Sequence, residues 1–113
     1  MPYVQDEEIH VWIEQLWDGE FHWDANNLKK LKKHEVTQED VESVFYDSFL
    51  FMGKIVEPPD KNWNEDRYAI LGRNKNNRTL AVVWTVRDGK VRPITCRGMR
   101  ENEKKSYNAE ESR

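Results

Sequence analysis

The sequence predicts an α+β domain in which N-terminal helices pack on a four-stranded antiparallel sheet with a C-terminal helix. Apolar residues recur at helical spacing through the first 45 positions, and after Asp47 the period changes to that of strands. The segment beyond Gly98 then reads as a short helix to about Tyr107, followed by a polar tail at 109–113.

The first element is a helix over Asp6–Trp17. Ile9, Trp12, Ile13, Leu16 and Trp17 form its stripe, Asp6 caps its start and Gly19 ends it. The stripe has two uses: covering the domain's own core, or docking to a partner or to the basic face as an internal inhibitor. Phe21–Trp23 reads as a short strand. Asp24 is the N-cap of a second, short helix carrying Lys29, Lys30, Lys32 and Lys33 around Leu28 and Leu31. Thr37 opens a third helix, with Asp40 at N3 completing a capping box and Val41, Val44 and Phe45 on one face. Four strands follow, Phe49–Val56, Arg67–Arg73, Arg78–Arg87 and Lys90–Arg97. Asn74–Asn77 turns the second into the third, and Asp88-Gly89 is a two-residue hairpin turn. Pro93 implies that the last strand lies at an edge or pairs on one side only at that point.

A length of 113 residues suits one domain. No apolar run reaches the length of a membrane span, and no basic-then-apolar leader opens the chain, so a cytoplasmic protein is expected. Cys96 is the only cysteine, which excludes an intrachain disulfide and a cysteine-based zinc cluster. Three scattered histidines make no metal site, and neither a Ser-His-Asp order, a phosphate-cradling Gly loop nor a dinucleotide fingerprint is present. No metal and no cofactor is therefore expected. The mean hydropathy is −0.98, yet 5 Trp, 4 Tyr and 4 Phe supply a core. Charge is polarised. Residues 1–24 hold seven carboxylates and no Lys or Arg, leaving +4 for residues 25–113 out of a net −3. The organisation expected is an acidic amphipathic extension (1–20), a basic domain (21–108) and the tail.

With those turns, Arg87 faces Lys90, Val82 faces Thr95, Leu80 faces Arg97, Arg73 faces Arg78, Leu71 faces Leu80 and Arg67 faces Trp84. Tyr68, Ile70, Ala81, Val83, Ile94 and Cys96 then form the core face. Arg67, Arg73, Arg78, Trp84, Thr95 and Arg97 share the other face, around Ala69, Leu71, Leu80 and Val82. Guanidinium groups grip phosphate through paired hydrogen bonds, and a tryptophan offers a stacking plane for a splayed base. Solvation or pairing with Asp and Glu is the competing use of such arginines.

Two ordered sets of words go further. Phe21-His22-Trp23-Asp24, Leu28, Lys33-His34-Glu35-Val36-Thr37 and Val44-Phe45 form the first; Ile94-Thr95-Cys96-Arg97, Glu103 and Tyr107 form the second. Together they resemble the BrnT family of bacterial toxins, whose members commonly read W-D…N…K-H-G-V-[ST]-x-E-[DE]-A…V-F and later I-S-A-R…E…Y. Glu35 stands where that pattern has Gly, and Arg100 where Thr or Ser is common. The resemblance implies a RelE-like fold and the toxin half of a type II toxin–antitoxin system, a metal-independent endoribonuclease that cuts mRNA and inhibits translation and growth. It also implies a BrnA-like antitoxin with a ribbon-helix-helix domain, through which DNA is contacted indirectly, and no membrane. By position it assigns Arg67, Arg73 and Arg97 to phosphate and transition-state contact, and Tyr107 or Glu103 to positioning or proton transfer. Lys33, Arg78, Trp84 and Arg100 are the expected RNA-binding residues.

Several residues keep a second use. Glu103 can pair with a neighbouring arginine instead of moving protons. His34 can cap or pack at the end of the lysine-rich helix, where the helix dipole favours its cation. Cys96 lies on the core face as a buried thiol. The alternative for the whole chain is a non-catalytic module that keeps the partner surface without cleavage, as the acidic extension and the departures at Glu35 and Arg100 would allow.

Overall fold

The computed structural model describes residues 3–46 and 49–112; Met1, Pro2, Asp47, Ser48 and Arg113 lie outside the described residues, and with them the outer ends of the 1–20 extension and the 109–113 tail. The elements in order are β1 (Tyr3–Val4), α1 (Glu7–Val11) running into a π-helical turn (Trp12–Leu16), α2 (Ala25–Lys32), α3 (Gln38–Tyr46), β2 (Leu50–Ile55), β3 (Tyr68–Arg73), β4 (Thr79–Arg87), β5 (Lys90–Gly98) and α4 (Glu101–Glu111). The strands make one antiparallel sheet in the order β1-β2-β3-β4-β5. Among the described residues it has five strands where four were expected, because β1 is two residues long and too short to show alternation.

The helix starts follow from the acceptors that precede them. Asp6 Oδ1 accepts from the Ile9 N–H at 3.1 Å, and Asp24 Oδ1 from the Asn27 N–H at 2.9 Å. At α3 the box is reciprocal. Thr37 Oγ1 accepts from the Asp40 N–H and Asp40 Oδ2 from the Thr37 N–H, each at 3.0 Å. α2 ends in a Schellman motif: the Val36 N–H reaches the Leu31 carbonyl at 3.1 Å and the Glu35 N–H the Lys32 carbonyl at 3.2 Å. Glu35 occupies the left-handed position, with φ of 54°, where a glycine would sit without strain.

The acidic leading segment packs on the core. Trp12 stacks on Trp84 with ring centroids 6.3 Å apart, Trp17 meets Phe45 at 5.7 Å and Phe21 at 5.1 Å, and Ile13 is buried. Leu16, expected within the stripe, is 69% exposed. The cause is the π turn, in which the Trp17 N–H bonds the Trp12 carbonyl five residues back and so changes the helical phase. Phe21–Trp23 forms no strand. Only Phe21 bridges Val91, and the Glu20 carbonyl and His22 N–H complete the cover on the outer edge of β5.

Both hairpins differ in register from expectation. Arg73 pairs with Thr79 rather than Arg78, since the Asn74 N–H bonds the Arg78 carbonyl and closes a five-residue loop. Arg87 does face Lys90, but the register shifts between Val83 and Trp84. Trp84 pairs with Pro93 and Val83 with Thr95, leaving Ile94 as the extra residue beside a proline that has no N–H to donate. Leu80, Val82 and Trp84 therefore enter the core, and Ala81 and Val83 lie on the opposite face, reversing the expectation for β4. Gly72 lets α3 approach closely. A Cβ there would stand 2.7 Å from Val44 Cγ1.

Candidate functional site

The sheet has two sides of different chemistry. α1–α3 cover the first, whose core includes Ile70, Leu80, Val82, Trp84 and Cys96. Burial pushes the Cys96 thiol up to about 12, so it stays neutral inside the core. Trp84 is fully buried, packed against Tyr68 and Phe45, and so cannot be the stacking platform for a base expected of it.

On the other side, the register aligns rows across the strands. Gly53, Ala69, Val83 and Thr95 form one row of small side chains. Leu50, Leu71, Ala81 and Arg97 form the next, and Arg73 follows on β3 beyond Leu71. Alternation from Ala69 puts Arg67 on this side too. Arg67, Arg73 and Arg97 thus share a face, and α4 lies over part of it, with Tyr107 packed on Leu71, Ala81 and Met99.

α4 meets two of these arginines, Arg97 and Arg73, at intervals of four residues. Arg97 donates from Nη1 and Nη2 to Glu103 Oε1 and Oε2 at 2.7 and 2.9 Å. Burial of Glu103 works to raise its pKa. The Arg97 hydrogen bonds and the Arg100 backbone N–H at 2.8 Å outweigh it and hold the carboxyl below its ordinary value. Four residues on, the Arg73 guanidinium lies over the Tyr107 ring at 5.5 Å, and a further turn away Glu111 accepts from it at 2.7 Å. α4 also runs to Glu111, past the expected end near Tyr107.

Arg100 is the N-cap of α4. Its side chain has no acceptor, so only the Glu103 half of the capping box forms. What the position loses in capping it gains in charge, because Arg100 is exposed next to Arg97. Arg67 sits at the other end of the face, stacked 4.5 Å over Trp63 and 3.7 Å from Glu65. The Nε–H groups of Arg67 and Arg73 are buried without a hydrogen-bond partner among the described residues.

The remaining expected RNA-binding residues lie elsewhere. Arg78 donates to the Glu35 and His34 carbonyls at 2.8 and 3.0 Å, satisfying the end of α2. Exposed Lys33 belongs to that same α2 terminus, so it is grouped with Arg78 and apart from α4. His34 contributes its carbonyl there.

Residue reading missed Tyr3. Its phenol pKa is raised, first by burial and then by Glu103, while Arg97 and Arg100 act to lower it. It therefore lies within electrostatic reach of all three groups at the start of α4. The only signal for the small row was Gly53 within a strand, a mark of close backbone approach.

The family model that matches the chain, over residues 23–103, is that of the ribonuclease toxin BrnT of type II toxin-antitoxin systems. No curated protein matches.

Proposed function

The chain belongs to the BrnT family of ribonuclease toxins of type II toxin–antitoxin systems, and from that premise we propose that it cuts mRNA on the α4 face of a RelE-like sheet, without a metal. The observation that carries this reading is the sharing of one face by Arg67, Arg73 and Arg97. Attack of a 2′-hydroxyl on its own phosphate builds negative charge on the phosphorane oxygens. Fixed guanidinium groups stabilise that charge without proton bookkeeping. Arg97 and Arg100, at the uncovered start of α4, grip the scissile phosphate. Arg73 and Arg67 hold flanking phosphates, each with a buried Nε–H that an anion could satisfy. Glu103 positions Arg97; held as a carboxylate, it is a poor proton donor at neutral pH. Tyr107 sets Arg73 by ring contact. Lys33 and Arg78 lie beside the α2 terminus and serve RNA only at long range.

The type II family implies an antitoxin. A BrnA-like protein with a ribbon-helix-helix domain, inserting an acidic and part-apolar segment over this cationic face, fits the chemistry. The 1–20 extension belongs to the folded unit in this reading, as the packing of Trp12 and Trp17 supports.

A non-catalytic module is favoured by one observation, the occupation of Arg97 and Arg73 by Glu103 and Glu111. Expression of the wild type should arrest growth, and the purified protein should cleave RNA in excess chelator. Arg97→Ala should lower the rate about 10²–10³-fold, the usual cost of losing one transition-state donor. Growth without arrest, together with intact RNA, would leave the binding module as the better account.

A further inference from the structure

Glu103 is held as a carboxylate, and Tyr107 is buried against Leu71, Ala81 and Met99 under Arg73, so neither is placed to give a proton to the departing 5′ oxygen. Tyr3 lies outside the matched residues 23–103, on a strand that the sheet adds at its edge. It pairs with Ile55, and across the next strand Gly53 pairs with Ala69. Since Ala69 faces away from the core, alternation puts Gly53, Ile55 and Tyr3 on the α4 face as well. A second observation agrees. A Cβ built on Gly53 would stand 3.4 Å from the Tyr3 Cβ and 2.8 Å from the Val4 carbonyl, so the glycine leaves room for β1 on this side. Tyr3 is half-buried, and although β1 and β5 are opposite edges of the sheet, the charges of Glu103, Arg97 and Arg100 reach its phenol on this shared face.

Resting on the ribonuclease reading above, we propose that Tyr3 is a catalytic residue that gives its phenolic proton to the leaving 5′ oxygen of the RNA. The 2′ oxygen bonds to phosphorus and the P–O5′ bond breaks, its electron pair passing to O5′, which takes the Tyr3 proton. The 2′-hydroxyl proton passes to water, and water reprotonates the phenolate. The products are a 2′,3′-cyclic phosphate and a 5′-hydroxyl. A phenol suits this step because an alkoxide is far more basic than a phenolate, and burial with Glu103 nearby keeps the phenol protonated at neutral pH.

The test is Tyr3→Phe, which keeps the ring and removes the proton. On an ordinary RNA oligonucleotide its cleavage rate should fall about 10²–10³-fold, within the usual range for a general acid. Affinity for the 2′-deoxy oligonucleotide and the melting temperature should stay at wild-type values. On an oligonucleotide with sulfur in place of the 5′ bridging oxygen, whose leaving group needs no proton, Tyr3→Phe should cleave as fast as wild type. Equal losses on both substrates, or wild-type activity on the ordinary one, would overturn the role of Tyr3 while leaving the ribonuclease reading intact. A wild type that cleaves neither substrate would overturn both.

Discussion

The two sides of the sheet hold their covering helices by different means. Under α1–α3 the contact is aromatic and dry. Trp84 sits within 7 Å, centroid to centroid, of Trp12, Phe45 and Tyr68. Under α4 the apolar contact is smaller, and two guanidinium–carboxylate pairs take over at its ends. An aromatic seam of the first kind can be exchanged only by opening the domain. Arg97 keeps roughly a quarter of its side chain exposed, so its guanidinium can meet a further anion, such as a phosphate, while Glu103 holds it. Stability is concentrated on one side of the molecule and accessible charge on the other.

Substitutions test that division, from the largest effect down. Trp84→Ala should cost about 3–5 kcal/mol in denaturant unfolding, as large aromatic truncations in cores do. If Trp84→Phe instead weakened RNA binding with stability unchanged, the tryptophan would belong to the other side. Gly72→Ala should cost about 1–3 kcal/mol through displacement of Val44, with cleavage by the folded fraction unaffected. Glu103→Gln leaves Arg97 with a weaker partner and should cost about 1–2 kcal/mol. It also removes a pH dependence. The folded Glu103 pKa lies below its ordinary 4.5, so its stabilisation is complete above that pH and is lost as pH falls through the folded value. The acid limb of the Gln variant's melting curve should be shallower, though not flat, because Asp24 and Asp40 are also depressed. Arg100→Ser should raise stability by about 1 kcal/mol by completing the cap while slowing cleavage, opposite signs that a purely structural residue would not give. Glu35→Gly, remote from α4, should stabilise by up to about 1 kcal/mol by relieving the left-handed backbone and leave cleavage unchanged.

Much of this was legible in the residues. Asp6, Asp24 and the Thr37/Asp40 pair open their helices because short-range hydrogen bonding alone decides such ends. Tyr68, Ile70 and Cys96 were assigned to the correct face. β4 was inverted because a loop one residue longer and a bulge beside Pro93 are each invisible to alternation, and a single-residue slip moves Trp84 from one side to the other. The facing of Arg67, Arg73 and Arg97 survived because the two one-residue slips cancel: Ala81, in place of Leu80, pairs with both Leu71 and Arg97. Tyr3 could not be found, since two residues carry no period and their partner strand lies some fifty positions away.

The wide turn at Trp12–Leu16 ties the aromatic seam to chain length. Residues five apart on a regular α-helix diverge by about 140°, but this turn brings Trp12 and Trp17 to 6.4 Å of each other. Deleting one residue here, for example exposed Gln15, would restore ordinary pitch with no loss of apolar area. The two tryptophans would then stand four residues apart, about 40° around a regular helix, so a one-codon deletion should keep both on the seam with Phe45 and Phe21, whereas a one-codon insertion should turn one of them away.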